Sequence, residues 1–291
     1  MQFMGYRRED GRVGVRNYVL ILPGCACASE TCRLVASEVR GTKNVIMNVG
    51  CSDVQANTDM NLRVLTGFAL NPNVFGVIVI GLGCETVGHR ELAAKIRAET
   101  SKPVVSFGIQ EIGGTVATTA AAVKAAREMV AQASEQQREP CDASDLFVAI
   151  ECGGSDATSG IASNPAVGNM SDRIVDLGGT TMMSETIEFV GAEHILAKRG
   201  ATPEIHDQII RICEDYEKHL AGVGQDCRTG QPTTGNKAGG LSTIEEKSLG
   251  CIHKGGTRPV VEVLQEAARP TKKGALIMDT PGYDISSVTS M

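Results

Sequence analysis

Tryptophan is absent from the 291 residues, and six phenylalanines with four tyrosines hold the aromatic share to 3%. A core with so few rings must be aliphatic and alanine-rich, and the 33 glycines let backbone segments approach one another closely. Long hydrophobic runs are missing too: none nears the ~20 residues of a spanning helix. The opening Met1-Gln2-Phe3-Met4-Gly5-Tyr6-Arg7-Arg8 lacks the apolar segment of a secretory signal. The expected setting is cytoplasmic, with no membrane partner. A net charge of −6 without an extended basic block argues against nucleic acid as a partner. The ten cysteines are sparser than in small secreted scaffolds, and no two are spaced as C-x-x-C, so neither a disulfide framework nor a zinc ribbon is indicated. In a reducing compartment they are metal ligands or small buried side chains.

What is present is alternation. Short β-rich runs at 18–22, 45–49, 74–82, 104–109 and 146–150 alternate with helical patterns at 29–39, 60–69, 90–99 and 115–134. Such alternation with short links predicts an α/β fold, a doubly wound and mostly parallel sheet. The polar, proline-bearing stretch 135–140 marks the one internal boundary. It separates a Rossmann-like α/β domain, 1–138, from a second α/β region, 139–291, that carries glycine-rich loops.

In a parallel sheet, ligands bind beyond the carboxyl ends of the strands. Cys27, Cys51, Cys84 and Cys152 all fall just past expected strand ends. On one sheet they would share one edge, and converging thiolates would hold iron, as a mononuclear Fe2+ site or an iron–sulfur cluster, or another divalent metal such as zinc. Cys25, Cys32, Cys141, Cys213, Cys227 and Cys251 lack this placement and are read as structural.

The continuously apolar run 146–150 predicts a buried strand. It feeds Glu151-Cys152-Gly153-Gly154-Ser155-Asp156, where a thiol, a hydroxyl and carboxylates crowd a glycine turn that runs on to Asn164. Ser155 and Asn164 are candidate substrate ligands and Asp156 a candidate catalytic acid. Near the N-terminus, Arg12 and Arg16 belong to an arginine cluster suited to a carboxylate or phosphate. Glu185 and Glu188 lie three apart where a helix is expected to begin, so their carboxylates share one side, for metal ligation or proton transfer. Beyond an amphipathic helix at 203–220, residues 230–257 read as a long glycine-rich loop, a substrate clamp in which Asn236, Lys237, Lys247 and Lys254 can meet an anion.

Five stretches carry a resemblance: residues 5–17 with Gly-Tyr-Arg-Arg-Glu-Asp-Gly-Arg-Val-Gly-Val-Arg-Asn, Gly81-Leu82-Gly83-Cys84-Glu85, residues 151–165, Gly235-Asn236-Lys237-Ala238-Gly239-Gly240 with Glu246-Lys247-Ser248-Leu249-Gly250, and Asp279-Thr280-Pro281-Gly282-Tyr283-Asp284. In order and over nearly the whole chain, these resemble the altronate and galactarate dehydratase family, to which the large subunit of sulfolactate sulfo-lyase also belongs. The resemblance implies an iron-dependent lyase acting on a small hydroxy acid, and Cys27, Cys51, Cys84 and Cys152 match cysteines of the family pattern; a homo-oligomer is expected. Three departures bear on this. The sugar-acid dehydratases carry a small domain ahead of the Gly-Tyr-x-Arg motif, which points here to a separate small subunit. They have histidine where this chain has Met47. They also continue past the Pro-Gly-Tyr-Asp motif, so this chain is expected to be shortened at its C-terminus.

Elimination from a 2,3-substituted carboxylic acid needs a base for the proton beside the carboxylate, a cation for the enediolate and an exit for the leaving group. Lys247 or Lys254 is the expected base and Glu185 or Glu188 the expected proton donor. Departing hydroxide needs a proton whereas sulfite leaves as a stable anion, so Met47 weakens the dehydratase reading more than the sulfo-lyase one. A third reading makes the chain an inactive assembly or binding subunit of a two-chain enzyme.

Overall fold

A computed structural model describes residues 1–291. The chain forms two compact units, Gln2–Cys141 and Asp142–Met291, with Met1 grouped with the second. Both are α/β, as expected, and each is built on its own four-stranded parallel sheet.

In the first unit the strands are β1 (Gln2–Arg7), β2 (Val13–Gly14), β3 (Tyr18–Pro23), β4 (Thr42–Asn44), β5 (Val74–Gly81), β6 (Val104–Gly108) and β7 (Glu139–Asp142). The parallel sheet runs β4-β3-β5-β6, and β2-β1-β7 form a small separate sheet. Register pairs Leu20 with Val77 and Ile21 with Ile78. Because side chains alternate along a strand, Ile21, Ile78 and Ile80 enter one core, and Leu20, Leu22, Val77 and Val79 the other. Helices Ser29–Glu38 and Thr115–Glu135 cover the first face, the latter through Ala122, Ala126 and Met129. Helices Gln55–Leu70 and His89–Glu99 cover the second through Leu65, Ala69, Leu92 and Ile96. Alanines let the helices approach closely, which is how a chain poor in rings fills its interior. No helix is long and apolar enough to cross a membrane.

The second unit contains β8 (Phe147–Ile150), β9 (Thr180–Met183), β10 (Val260–Leu264) and β11 (Ala275–Met278), in the order β10-β11-β9-β8. Its larger core gathers Ile150, Met183, Ile187, Phe189, Leu196, Ile209 and Ile277, with Met182, Leu264, Leu276 and Met278 on the other face. The amphipathic helix Pro203–Gly222 buries Ile205, Ile209 and Cys213, four residues apart, and starts where Thr202 accepts from the Ile205 N–H.

Four expectations are corrected. The strand ending at Cys152 does not continue the first sheet: three of the four singled-out thiols follow segments of the first unit and the fourth follows β8 of another sheet, so they share no sheet edge. β8 is an edge strand rather than a buried one, with Phe147 44% exposed. Residues 45–49 are not a strand. Met47 N donates to Ser29 Oγ at 3.0 Å and Val49 O accepts from Ala26 N at 2.7 Å, so this segment bonds to the start of a helix and only Thr42–Asn44 pairs in the sheet. Residues 230–257 are not an open loop. They fold into the short helices Thr234–Ala238 and Ile244–Cys251 and a 3-10 turn Ile252–Gly255. Thr233 and Asn236 form a capping box, and Thr243 accepts from Glu246 N, so the threonines that looked like loop residues are helix caps.

Candidate active site

Three neighbouring strands of the second sheet end at one place. After β8 come Glu151, Cys152 and the glycine turn; after β9 come Ser184 and Glu185; after β11 come Asp279, Thr280 and Gly282. A cleft of about 270 Å³ opens there, walled by Cys152, Ser155, Glu185, Glu188, Gln231 and Lys247, with Asp284 at its margin. Gly154, at φ +147°, turns the wall in a conformation that side chains rarely adopt.

Glu185 sits in the left-handed region, φ +66° and ψ +71°. Its backbone is fixed from β11: Glu185 N donates to Thr280 Oγ1 at 2.8 Å, Thr186 N to Thr280 O at 3.1 Å, and Thr186 Oγ1 to Asp279 Oδ1 at 2.6 Å. These bonds hold a conformation unfavourable for a glutamate, and strain of that kind gathers at functional sites. The turn presents Glu185 and Glu188 together, 3% and 2% exposed.

Around them charge is dense and dry. Lys254 Nζ contacts Glu188 Oε2 and lies 3.8 Å from Glu185 Oε2. Lys247 Nζ is 3.6 Å from Glu188 Oε1 and donates to Gln231 Oε1 at 2.9 Å. Both oxygens of Glu188 therefore face ammonium groups. Burial opposes its charge, yet Lys254 and then Lys247 hold its carboxyl below the ordinary value. Burial likewise opposes the charge of Lys254, but Glu188 outweighs it and pushes the ammonium pKa up. Glu185 has no such clamp: burial, then the neighbouring Glu188 charge, push it up to about 8, although its Oε2 accepts from Cys152 N at 2.9 Å. The Cys152 thiol is raised by burial and by Glu188, and Sγ lies 3.5 Å from Ser155 Oγ. Glu151 is raised by burial; its Oε2 accepts from Ser184 Oγ at 2.6 Å, while Oε1 has no partner.

Two sets of ligand atoms lie within 4.8 Å of one another here: Cys152, Glu185 and Glu188, and Glu151, Glu185 and Asp284. Neither includes Cys27, Cys51 or Cys84, which are exposed in the first unit. The second set is all oxygen, draws on Glu151, whose Oε1 meets no donor, and has no ion pair to Glu151 or Asp284. Its donor chemistry suits a hard divalent cation. The six cysteines read as structural are all buried.

The remaining candidates do other work. Asp156 accepts from Thr158 Oγ1, Ser159 N and Ser159 Oγ, which makes it a cap. Asn164 donates to Gly250 O at 3.0 Å and Asn236 to Ser155 O at 2.8 Å, so the first ties two segments and the second shapes the cleft wall. Lys237 is exposed and outside the wall. In the first unit Arg12 pairs with Asp10 at 2.6 Å and donates to Leu70 O, while Arg16 is exposed and donates to Val15 O. The site residues not singled out from sequence are Glu151, Gln231 and Asp284. Glu151 and Asp284 stand inside motifs already recognised; Gln231, before Pro232, carries no local signal.

A parallel sheet whose carboxyl edge holds buried carboxylates and ammoniums around a small cleft is the arrangement of an α/β enzyme. The chain belongs to the D-galactarate/altronate dehydratase family. Residues 5–134 match the domain described as D-galactarate dehydratase/altronate hydrolase, second domain, and residues 143–291 match D-galactarate/altronate dehydratase, C-terminal. Among its relatives, the (2R)-sulfolactate sulfo-lyase subunit beta of Chromohalobacter salexigens is 41% identical over 99% of this chain and 73% of its own length. Altronate dehydratase of Bacillus subtilis is 33% identical over 99% of this chain and 59% of its own. Galactarate dehydratase (L-threo-forming) of Escherichia coli is 35% identical over 97% of this chain and 57% of its own. The chain thus spans under two thirds of the two dehydratases.

Proposed function

We propose that this chain carries the catalytic centre of a lyase that eliminates a β-substituent from a small 2-hydroxy carboxylic acid, losing water from an acid sugar such as altronate or galactarate. The observation that carries this reading is Glu188, buried with one oxygen facing Lys247 and the other Lys254 at a cleft sized for such an acid. Lys247, which lines the cleft, receives the substrate carboxylate and draws charge from the carbon beside it. Lys254, held by Glu188, keeps its proton; Glu188, whose proton affinity the two ammoniums lower, is restored as a base when the substrate carboxylate engages Lys247 and relaxes that clamp, and it then takes the proton from that carbon. As Glu188 is protonated, the two ammoniums are freed to face the enediolate. The Cys152 thiol, held in its protonated form by burial and Glu188, offers a proton to departing hydroxide.

Glu151, Glu185 and Asp284 would hold a divalent cation, Fe2+ in this reading, supported by the oxygen donor set and the unpartnered Glu151 Oε1. When bound, such a cation supplies Lewis-acid stabilisation of developing oxygen charge.

A second reading, elimination of sulfite from sulfolactate, is favoured by the higher identity to the sulfo-lyase subunit and by Met47, since sulfite needs no proton on leaving. That relative's designation as a subunit supports a separate small companion chain. A cytoplasmic homo-oligomer completes the proposal. Assay of Fe2+-loaded protein against altronate, galactarate and (2R)-sulfolactate, with and without a small companion chain, tests it. A 2-oxo product from either sugar acid supports dehydration and sulfite release supports the second reading. Inertness towards all three under both conditions overturns both and leaves the binding-subunit reading.

A further inference from the structure

The two donor sets at the cleft share Glu185 and differ in chemistry. One adds a thiol and a carboxylate, Cys152 and Glu188; the other adds two carboxylates, Glu151 and Asp284. By softness alone, a transition metal such as cobalt or zinc would find the thiol-bearing set attractive. We infer that Lys254 decides between them: its ammonium fills the corner formed by Cys152, Glu185 and Glu188 and leaves a divalent cation only the all-oxygen corner of Glu151, Glu185 and Asp284.

What separates the two corners is like charge. Lys254 Nζ contacts Glu188 Oε2, and Lys247 Nζ stands 3.6 Å from Glu188 Oε1, so neither oxygen of Glu188 is free of a cation. Lys254 is also 3.8 Å from Glu185 Oε2, the oxygen that accepts from Cys152 N. A metal ion bonded to Cys152 Sγ and Glu188 would meet an ammonium within a few ångströms in a dry site, where repulsion is strong. On the other side neither Glu151 nor Asp284 has an ion pair, and no donor meets Glu151 Oε1, although the Glu151 carboxyl faces that of Glu185 and feels Lys254 from farther off. Lys254 is 4% exposed, so it cannot swing into solvent to make way. It thus acts as a positioning residue that sets the hardness of the site, separating the metal from the thiol and keeping Cys152 as a free S–H.

The inference rests on the cation reading above, and anaerobic Co2+ titration distinguishes the two. Cobalt bound by oxygen shows only weak visible bands, whereas a cobalt–thiolate bond adds intense near-ultraviolet charge transfer. The expected result is cobalt binding by the unaltered protein without that band, and an identical spectrum for Cys152→Ser. Lys254→Met should gain the band, and Cys152→Ser on that background should abolish it. Should Lys254→Met fail to fold, Lys254→Gln, which can still hydrogen-bond Glu188, removes the same charge. Cobalt binding without the band in the unaltered protein but also without it in the Lys254 variants overturns the inference alone. A Cys152-dependent band already present in the unaltered protein overturns it as well. Failure of the unaltered protein to bind cobalt at all overturns the cation reading along with it.

Discussion

The two four-stranded parallel sheets differ in strand order and, more tellingly, in how the charges at their carboxyl edges are met. In the first unit the turn after β5 closes on itself: the Glu85 carboxylate accepts from the backbone of Leu82, Gly83 and His89, so the glycine-rich edge meets its own anion. Cys27, Cys51 and Cys84 lie exposed in that unit without forming a ligand set. In the second unit the edge is left electrically unfinished. Two ammoniums answer Glu188, whereas Glu185 and Glu151 are pushed toward protonation and one oxygen of Glu151 has no partner. A motif that ends in Gly-Cys is therefore no sign of chemistry by itself; what separates the two edges is whether their buried charges are answered locally.

The sharpest way to break this comparison is to remove the charge that the second edge is built around. Glu188→Gln should lower kcat/KM by about 10²–10⁴-fold, read from initial rates on whichever acid the protein turns over. The same measurement on Glu85→Gln in the first unit should change little beyond what lost hydrogen bonds do to folding. Equal losses would erase the distinction between the edges.

Core truncation separates fold from chemistry. Ile209→Ala in the second unit and Ile21→Ala in the first each remove a fully buried side chain and should each cost about 2–5 kcal/mol, measured by urea denaturation. Metal content sharpens the contrast further. Glu151→Gln, which removes a direct ligand, should weaken divalent-cation binding by more than the roughly 10–100-fold that loss of an outer-shell partner costs, while Cys27→Ser, Cys51→Ser and Cys84→Ser should leave it unchanged in a calorimetric titration.

Much of this was legible in the sequence, and the reasons for the rest are physical. Alternating periodicities showed the α/β class, and the strand ends before Cys84 and Cys152 were correctly located in the chain. Sheet membership was not legible, because nothing in residues 146–150 says which strand they pair with; that choice lies in long-range contacts such as Val148 to Thr181. Glu185 and Glu188 stood out by spacing. Their unequal proton affinities did not, since these depend on Lys247 and Lys254 arriving from a region some sixty residues away in sequence. Arg12 looked like an anion site because sequence cannot show that Asp10 and the Leu70 carbonyl already engage it.

The smallest expected effect concerns the scaffold that holds Lys254. Asp172, on the helix Asn164–Asp176, accepts from Thr257 N at 2.7 Å, Thr257 Oγ1 at 2.8 Å and Arg258 N at 3.1 Å, fixing the turn that follows Lys254. Burial opposes its charge, but the Thr257 and Arg258 donors hold its carboxyl below the ordinary 3.8. A depressed carboxyl contributes stability that is complete above its unfolded value and fades as pH falls through the folded one. Asp172→Asn should therefore cost about 1–3 kcal/mol at neutral pH, and the gap to the unaltered protein should narrow below the ordinary value, followed by thermal denaturation across the acid range.

The central claim is that Glu188, held between Lys247 and Lys254, takes the proton beside the substrate carboxylate. Solvent deuterium wash-in at that carbon, followed by NMR in Fe2+-loaded protein with altronate, galactarate and (2R)-sulfolactate, tests it without requiring the leaving group to depart. The account predicts exchange or turnover with at least one of these acids, lost in Glu188→Gln while the fold and cation binding persist. Exchange at the unaltered rate in Glu188→Gln would contradict it.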